Sequence, residues 1–302
     1  MKVVKIENLV KRYGDLVAVD HFNLEIEEGE IFGLLGPNGS GKSTTIHCLL
    51  SLLSYDKGHI EIFGQEMTPA SYDIKKDIGI IMQNVAVFQE LTVYENIDYF
   101  CGLYVPEKGQ RKRLVEEAIE FAGLSEFRKF YPKKLSGGLL RRLNIACGIA
   151  HKPKLIILDE PTVAVDPQSR NKILEGIQEL NRQGATIIYT THYMEEAADA
   201  DYVVILDSGK IVAEGTPLDL KNKYTGDFIT IYRADENEVK KLGMPYEILR
   251  DAIRISVPDT AAATRLITEN PNMFTDYEVT KGKMDDVFLN VTGRKLTGGD
   301  EK

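Results

Sequence analysis

The sequence predicts an α/β protein with a mostly parallel sheet at its core, and two observations point to this class. Short apolar runs, such as Ile31–Leu35 and Leu155–Leu158, alternate with longer segments that have helical spacing. Strands that are apolar throughout are typical of parallel sheets whose two faces are covered by helices. In addition, a glycine-rich loop joins the first of these strands to a helix, as in the α/β motifs that hold phosphate groups.

The composition is that of a globular protein with one large domain or two modest ones: 302 residues, 43% hydrophobic and 27% charged. The formal net charge of -9 disfavours nucleic acid as a partner, because binding a phosphate backbone requires a basic face. Cys48, Cys101 and Cys147 are odd in number and widely spaced, which indicates buried thiols rather than disulfides or a metal site. The N-terminus lacks the apolar core of a signal peptide, and no uncharged run reaches the roughly 18 residues of a membrane span. We therefore expect any role at a membrane to depend on another chain.

Alternating hydrophobic and polar residues from Val3 to Ile31 predict antiparallel strands at the N-terminus. An apolar strand is expected at Ile78–Met82. A helix is expected to begin just after Thr92, because Thr92 and Glu95 form a capping-box pattern. Two more helices follow, with few strand signals, so the region of about 92–150 is predicted to be a helical subdomain.

Strands and helices alternate again after this subdomain. Strands are predicted at Leu155–Leu158, Thr186–Thr190 and Tyr202–Leu206, with helices over 167–181 and 193–200. The first domain is expected to span residues 1–222. In residues 226–293 the pattern predicts strand, helix, two strands, helix, strand and helix, which together make a small α+β domain. The tail, 294–302, is predicted to be disordered.

The first glycine-rich stretch, "GPNGSGKS", matches the phosphate-loop pattern G-x-x-x-x-G-K-[ST] at every required position. In such a loop the backbone N–H groups surround a phosphate, Lys42 adds a cation, and the Ser43 hydroxyl is a ligand for Mg²⁺. The alternative, a glycine-rich turn without chemistry, is disfavoured by the strand before the loop and the helix after it. The residues expected to bind the nucleotide here are Gly36, Pro37, Asn38, Gly39, Ser40, Gly41, Lys42, Ser43 and Thr44.

Two acidic residues follow the buried strand in "LIILDEP". Adjacent strand residues point to opposite sides, so Asp159 and Glu160 are expected to have different roles. Asp159 is predicted to hold the magnesium ion, and Glu160 is predicted to take a proton from an attacking water. A solvated strand end is the usual alternative for such a pair, and the upstream phosphate loop disfavours it.

Three motifs occur in one chain and in a defined order: "GPNGSGKS" at 36–43, "LSGG" at 135–138 and "LIILDEP" at 155–161. With these motifs, the region from about 3 to 220 resembles the ATP-binding subunit of ABC transporters. The resemblance implies the P-loop NTPase fold of ABC ATPases, with a parallel core, an antiparallel β subdomain and a helical subdomain. It also implies hydrolysis of ATP with Mg²⁺ as cofactor, with Lys42 and Glu160 among the catalytic residues.

Four more residues match positions with roles in this family. By that resemblance Tyr13 stacks on adenine, and Gln83 contacts the metal and takes part in catalysis. His192 contacts the γ-phosphate, and Asp166 lies at the seam of a dimer. Taken singly, each has a structural alternative, such as an exposed strand aromatic, a loop amide or a capping histidine. Their joint placement favours the functional interpretation.

The resemblance also accounts for the second glycine-rich stretch, "KKLSGGLLRR". In this family "LSGG" faces the phosphate loop of a partner molecule, so that two ATP molecules are enclosed between two subunits. Ser136 and the N–H groups of Gly137 and Gly138 are then expected to cap the γ-phosphate across the interface. The family's usual glutamine is Leu139 here. Because the phosphate-facing groups are retained, we expect capping to persist.

The segment "GKMDDVFLNVTGR" at 282–294 resembles the closing segment of the cytosolic ATPases of bacterial type-two ABC exporters. This implies a homodimer at the inner face of the membrane that drives a separate permease, with contact through Val85–Tyr104. Import remains an alternative, since importer ATPases also carry C-terminal domains. A non-transport ABC ATPase acting on ribosomes or DNA is disfavoured by the single cassette, and a P-loop kinase is disfavoured by "LSGG" and His192. An ATPase homologue that binds without turnover is a further alternative.

Overall fold

The computed structural model describes residues 1–293 of the chain. These divide into two compact units, the first spanning Met1–Val212 and the second beginning at Ala213. The domain limits expected from the sequence, 1–222 and 226–293, remain a prediction. The predicted disorder of 294–302 lies outside the described residues.

The strands are β1 (Lys2–Tyr13), β2 (Leu16–Glu27), β3 (Ile31–Leu35), β4 (Lys57–Ile62), β5 (Gln65–Glu66), β6 (Ile78–Ile81), β7 (Leu155–Asp159), β8 (Thr186–Thr191), β9 (Tyr202–Asp207), β10 (Lys210–Gly215), β11 (Asp227–Tyr232), β12 (Tyr246–Ile248), β13 (Ala252–Val257) and β14 (Tyr277–Lys281). The helices are α1 (Lys42–Leu49), α2 (Tyr72–Lys75), α3 (Val93–Gly102), α4 (Lys108–Phe121), α5 (Gly137–Ile149), α6 (Pro167–Arg182), α7 (Pro217–Tyr224), α8 (Glu236–Lys241), α9 (Thr260–Glu269) and α10 (Met284–Thr292).

The central sheet has six strands in the order β10-β9-β3-β8-β7-β6. β3 pairs in parallel with β8 and β9, and β7 pairs in parallel with β8 and β6. β3, β7 and β8 are buried along their whole length. The predicted mostly parallel core is confirmed. Because parallel strands end at one edge of the sheet, the residues that follow β3, β6, β7 and β8 meet there.

A second sheet is antiparallel, with the order β2-β1-β4-β5. β1 and β2 pair as the alternating N-terminal pattern predicted. The sequence analysis did not predict β4, β5 or β10. β5 has two residues, too few to display any periodicity, and β4 is buried only toward its end, which hides the alternation.

The helical block contains α3, α4 and α5, with no strand between 82 and 154, as predicted. α3 begins at Val93, and its capping box is present: the Glu95 N–H donates to the Thr92 hydroxyl, and the Glu95 carboxylate accepts from the Thr92 N–H. Apolar side chains of the three helices form one buried cluster, which includes Ile97 and Leu143. This cluster gives the block a core of its own.

The helix expected over 193–200 is a short 3-10 helix at Met194–Asp199. The N–H groups of Glu196 and Ala200 donate to carbonyls three residues back, which is the 3-10 pattern. The Glu196 side chain is drawn into buried hydrogen bonds with two threonines, and this anchors the turn in a tight form.

In the second unit, a four-stranded antiparallel sheet has the order β12-β13-β11-β14. Side chains of α8 and α9 cover one face and enclose a core that includes Ile229, Ile255 and Phe274. The order of strands and helices is the one predicted from the sequence. No described helix of either unit combines the length and apolar character needed to cross a membrane.

Candidate functional site

The loop between β3 and α1 requires glycine at two positions for steric reasons. Gly36 and Gly41 have φ angles of 152° and 108°, which L side chains rarely adopt. A Cβ at Gly36 would collide with the carbonyl oxygen of Leu206, and one at Gly41 with that of Ala18. The glycines of the motif therefore let the loop pack closely against neighbouring backbone.

The loop presents donors at the start of α1. Within the described residues no hydrogen bond uses the following backbone N–H groups: Asn38, Gly39, Gly41, Lys42 and Ser43. The Ser40 hydroxyl oxygen is buried and likewise has no hydrogen-bond partner among residues 1–293. Together with the positive end of the α1 dipole, these groups form a site suited to an anion.

The Lys42 side chain is buried beneath the loop, with 4% of its surface exposed. Its Nζ donates to the Gly36 carbonyl oxygen at 2.7 Å and to that of Pro37 at 3.2 Å, and lies 3.4 Å from Glu160 Oε1. Burial lowers the pKa of Lys42, and the nearby Glu160 carboxylate opposes part of that shift. A phosphate at the loop would favour the charged form further.

Three residues that were predicted from the sequence lie next to the carboxylate of Glu160. Besides Lys42, it lies 3.3 Å from Gln83 Nε2, which donates to Oε2. His192 Nδ1 is also 3.3 Å from Oε2, but without hydrogen-bond alignment. These side chains come from the ends of β6, β7 and β8 and from α1, so sheet topology brings together residues far apart in the sequence.

The Asp159 carboxylate has a separate set of contacts. Its Oδ1 accepts from the Ser43 hydroxyl at 3.3 Å and from the Thr190 hydroxyl at 2.5 Å. As the sequence predicted, the two acids therefore point to different surroundings. The described residues contain no cluster of three His, Cys, Asp or Glu side chains. One carboxylate with one hydroxyl is nevertheless the kind of oxygen set that Mg²⁺ uses together with water and substrate phosphates.

Thr190 was not predicted from the sequence. Its hydroxyl accepts from the Glu160 N–H at 2.9 Å while donating to Asp159. Glu160 has a φ of 47°, in the left-handed region, which costs roughly 1–3 kcal/mol for a residue other than glycine. The Thr190 hydroxyl thus holds both acids where the chain leaves β7. The only signal in the sequence is a hydroxyl residue two positions before His192.

Arg141 was also missed. It is 3% exposed, and its guanidinium donates to five carbonyl oxygens, those of Met82, Gln83, Asp159, Glu160 and Pro161, at 2.7–3.1 Å. Burial lowers the pKa of Arg141 to about 10, and the charges of the two acids oppose this shift. Arg141 therefore ties the ends of β6 and β7 to α5. The sequence feature that could have identified it is an arginine in a helix whose other residues are mostly apolar and buried.

A third residue that the sequence analysis did not assign is Glu196, whose buried carboxylate accepts from the hydroxyls of Thr162 and Thr191 at 2.6 and 2.7 Å. Arg170 Nε lies 3.5 Å from the same carboxylate. Thr191 precedes His192, and Thr162 starts the loop that ends in Asp166. Glu196 therefore connects those two segments.

The second glycine-rich stretch lies apart from these groups. Ser136 and Gly137 are exposed, and within residues 1–293 no hydrogen bond or ion pair joins 136–138 to the loop 36–44. Ser136 caps α5 by accepting from the Leu139 N–H at 3.3 Å. A Cβ at Gly138 would collide with the Ser169 side chain and come within 3.2 Å of Asp166. The start of α5 thus packs against the start of α6 in the same chain.

Within residues 1–293, no hydrogen bond or ion pair joins Tyr13 or Asp166 to the cluster around Glu160. Tyr13 is 49% exposed at the end of β1, with Lys11 Nζ 5.1 Å from its ring centroid. Asp166 caps α6 by accepting from the Ser169 N–H at 2.9 Å, and hydrogen bonds from the Ser169 side chain and backbone lower the pKa of Asp166. Adenine stacking and a role at a dimer seam remain predictions for these two.

A glycine loop at a helix start, with a buried lysine below it and two differently placed carboxylates beside it, defines a P-loop nucleoside triphosphatase. The comparisons with known proteins identify the family. The model of the ABC transporter family matches residues 19–163. The linearmycin resistance ATP-binding protein LnrL of Bacillus subtilis is 36% identical over 97% of this chain and 99% of its own length. The Nod factor export ATP-binding protein I of Rhizobium etli is 33% identical over 98% of this chain and 95% of its own length.

Solved structures agree with this assignment. The ATP-binding cassette MJ0796, a dimer in a post-hydrolysis state bound to ADP and Pi, matches with a TM-score of 0.64 and 29% identity. The match covers 70% of this chain and 98% of that one. The chain belongs to the ATP-binding subunits of ABC transporters and is an ATP hydrolase of that family. The resemblance drawn from the three motifs is confirmed, and the relatives include exporter and drug-resistance subunits.

Proposed function

We propose that this subunit binds ATP with Mg²⁺, hydrolyses it with Glu160 as general base, and so powers export through a separate membrane permease. One observation carries the proposal: Lys42, Gln83 and His192 converge on the Glu160 carboxylate beside the phosphate loop. In this arrangement a buried acid, a cation and two polar side chains surround one point, as phosphoryl transfer to water requires.

In this reaction the loop N–H groups and Lys42 bind the β- and γ-phosphates, and Lys42 exchanges its carbonyl contacts for phosphate oxygens. Glu160 accepts a proton from a water molecule whose oxygen forms a bond to the γ-phosphorus, while the bond to the β-phosphate oxygen breaks. The products are ADP and phosphate. Gln83 and His192 orient the groups at the γ-phosphate. Ser43 and Asp159 would hold Mg²⁺, which neutralises charge on the phosphates when bound.

We further propose that two copies enclose two ATP molecules. The exposed Ser136 and Gly137 at the start of α5 have donors for a phosphate, and within residues 1–293 no hydrogen bond or ion pair joins 136–138 to Lys42, Asp159 or Glu160. Donors placed in this way can contribute to catalysis only by binding a nucleotide that another chain holds. The dimeric MJ0796 cassette bound to ADP and Pi supports this arrangement.

A surface for the permease is supported by the segment from Val85 to Tyr104. Phe88 and Tyr99 are exposed, with ring centroids 4.9 Å apart, and Leu103, four residues after Tyr99 at the end of α3, is 61% exposed. A contiguous exposed apolar patch of this type marks an interaction site. It follows Gln83 directly in the chain, so that a displacement of Gln83 would reach it.

The loop between Gln83 and this patch is fixed rather than free. Buried Asn96 accepts from the Phe88 N–H at 2.8 Å and donates to the Phe88 carbonyl oxygen at 3.0 Å. Asn144 on α5 accepts from the Ala86 N–H at 3.1 Å. Docked on a permease in this way, the subunit would reside at the cytoplasmic face of the membrane. Export is supported by the named activities of the full-length relatives, drug resistance and Nod factor export.

The test is the Glu160→Gln variant. General-base catalysis contributes a factor of about 10² to 10⁴, so we expect ATP turnover to fall by that amount while ATP binding persists. The amide keeps the shape of the side chain and cannot take the proton. Steady-state ATPase assays are compared with equilibrium binding of a fluorescent ATP analogue. Turnover at the wild-type rate would refute the role of Glu160.

A further inference from the structure

The sheet of the second unit ends on a strand with an open side. β14 pairs with β11 on one side and is the last strand in the order β12-β13-β11-β14. In the described part of the chain, nothing pairs with its other side. Tyr277 and Val279 are 42% and 38% exposed there. An edge of this kind is a template for another strand.

The hydrogen-bond pattern shows which residues face the open side. The Tyr232 N–H donates to the carbonyl oxygen of the opposite residue, Asp276, at 3.0 Å. In an antiparallel ladder such bonded pairs alternate with non-bonded ones, and the register of β11 with β14 has no shift. The N–H and C=O groups of Tyr277, Val279 and Lys281 therefore point away from β11, and no hydrogen bond within residues 1–293 uses them.

The side chains on this edge continue the buried core. Tyr277 and Val279 lie opposite Ile231 and Ile229, which are buried on the face covered by helices. The Tyr277 ring packs edge-on against the core residue Phe274, with centroids 5.9 Å apart. An added strand would therefore extend the apolar layer and remove exposed apolar surface from water.

The features that normally prevent an edge strand from pairing with another chain do not operate at β14. β14 contains neither proline nor a bulge. Lys281 Nζ turns toward its own unit, 3.7 Å from Asp227 Oδ2. The Glu278 carboxylate likewise accepts from the Tyr232 hydroxyl at 3.4 Å. Both charged side chains therefore contact residues of their own sheet and do not block the approach of another strand to the open edge.

We infer that β14 pairs with β14 of a second copy of this chain, antiparallel, about a two-fold axis at Val279. In this register Val279 of one copy lies opposite Val279 of the other, Tyr277 lies opposite Lys281, and Glu278 lies opposite Thr280. All five residues of the strand pair, apolar side chains and a lysine stem meet on the core face, and no like charges oppose each other. The outward N–H and C=O groups exchange hydrogen bonds, and the two sheets join into one of eight strands.

Neighbouring registers are less favourable. A centre at Glu278 places two carboxylates directly opposite each other at the closer, non-bonded spacing, which is repulsive. A centre at Thr280 requires pairing beyond Lys281, where Gly282 packs so closely on Thr225 that a Cβ would collide with it. The strand is thus self-complementary in one register, which is the property of a two-fold interface. This interface needs no nucleotide, so it is separate from the ATP-dependent contact proposed above.

The first experiment is cross-linking of the full chain without nucleotide. Residues in a hydrogen-bonded antiparallel pair have Cα atoms about 5.5 Å apart, within the range of a disulfide. Val279→Cys should therefore form an interchain disulfide on mild oxidation. In the matched control Tyr277→Cys, the two introduced thiols are four residues out of register, roughly 13 Å apart, and should not link. The native thiols are buried, and burial raises the pKa of Cys48 and Cys101 to about 11, which keeps the background low.

The second experiment removes one backbone donor. The Val279 N–H does not serve the β11 ladder, so Val279→Pro should fold, with thermal unfolding near that of wild type. Val279→Thr keeps the donor and is the matched control. Sedimentation equilibrium without nucleotide should give dimers for wild type and the threonine variant and monomers for the proline variant. A second disrupting variant, Val279→Lys, should also be monomeric.

Each of the following outcomes would overturn the inference: a monomeric wild-type chain at about 100 µM, where an interface of useful affinity would be populated, equal dimerisation of the proline and threonine variants, or equal cross-linking at 277 and 279. If Val279→Cys links only after residues 294–302 are removed, the chain's own terminus covers the edge and the inference is wrong. Because neither experiment contains ATP, failure here leaves the Glu160 test unaffected.

Discussion

The two glycine-rich stretches, 36–44 and 136–138, share small residues at the start of a helix and differ in almost everything around them. The first lies beside two buried carboxylates and above a buried lysine. The second is exposed at its serine and first glycine, and Ser136 is occupied with capping its own helix. Both can donate hydrogen bonds to an anion, but only the first is surrounded by groups that can carry out chemistry.

The comparison shows what a helix N-terminus provides and what it does not. Backbone donors and a helix dipole attract a phosphate, but they neither take a proton nor hold a metal. Gly138 also has a packing reason to be glycine, because Ser169 of α6 occupies the space of its Cβ. The second stretch is therefore interpreted as half of a site, and its glycines serve both the phosphate and the contact with α6.

The largest effect is expected when one stretch is inactivated in one copy of the chain and the other stretch in a second copy. We expect Lys42→Ala and Gly137→Glu to be nearly inactive alone. The space at Gly137 admits a side chain, and an acid at a helix start is favourable for folding but repels a phosphate. Mixed in equal amounts, half of the dimers are hybrids with one intact composite site, so about a quarter of wild-type ATPase activity should return.

This recovery is measured by steady-state ATPase assays on the mixture, with each variant alone at the same total concentration as the control. A mixture no more active than its parts would mean that both stretches act within one chain. A double variant carrying both changes in one copy, mixed with Lys42→Ala, should recover nothing.

A smaller effect is expected for substitution of Thr190, which tests whether its hydroxyl positions Asp159 and Glu160 beside the first stretch. Losing a buried hydrogen bond to a charged group costs about 1.5–3 kcal/mol, so Thr190→Val should lower kcat about ten- to a hundredfold. Thr190→Ser keeps the hydroxyl and should restore most of the rate. ATP affinity, measured with the fluorescent analogue, should change little, whereas the Mg²⁺ concentration for half-maximal activity should rise. Equal activity of the valine and serine variants would contradict this role.

The smallest effect is expected at Leu139, in the second stretch. Its backbone N–H bonds to Ser136, while its side chain packs against the helical cluster. Leu139→Gln changes none of the phosphate donors, so the ATPase rate should change less than about threefold even though the lost packing lowers stability. A change of orders of magnitude would show that the side chain itself acts on the nucleotide. Thermal unfolding serves as the control for lost packing.

Much of the site could be predicted because its residues sit in contiguous motifs. Lys42, Asp159 and Glu160 were assigned from local spacing and strand context. Thr190 could not be assigned in this way, because its role comes from the pairing of β7 with β8, which sets it directly opposite Asp159. Arg141 was likewise missed, since its partners are backbone carbonyls at the ends of two strands and leave no pattern in side chains.

The sequence by itself determined the class of fold, the order of most strands and helices, and the phosphate loop, because these follow from periodicity and from residues near each other in the chain. It also predicted different surroundings for the two acids, although Glu160 lies just beyond β7 with a φ of 47°, so its direction comes from the turn and not from strand alternation. Tertiary structure decided what those residues touch: that Glu160 gathers Lys42, Gln83 and His192 at the end of the sheet. It also decided which side of β14 stays open. Both depend on which strands are neighbours, and strand order is fixed by packing over long sequence distances, not by local pattern.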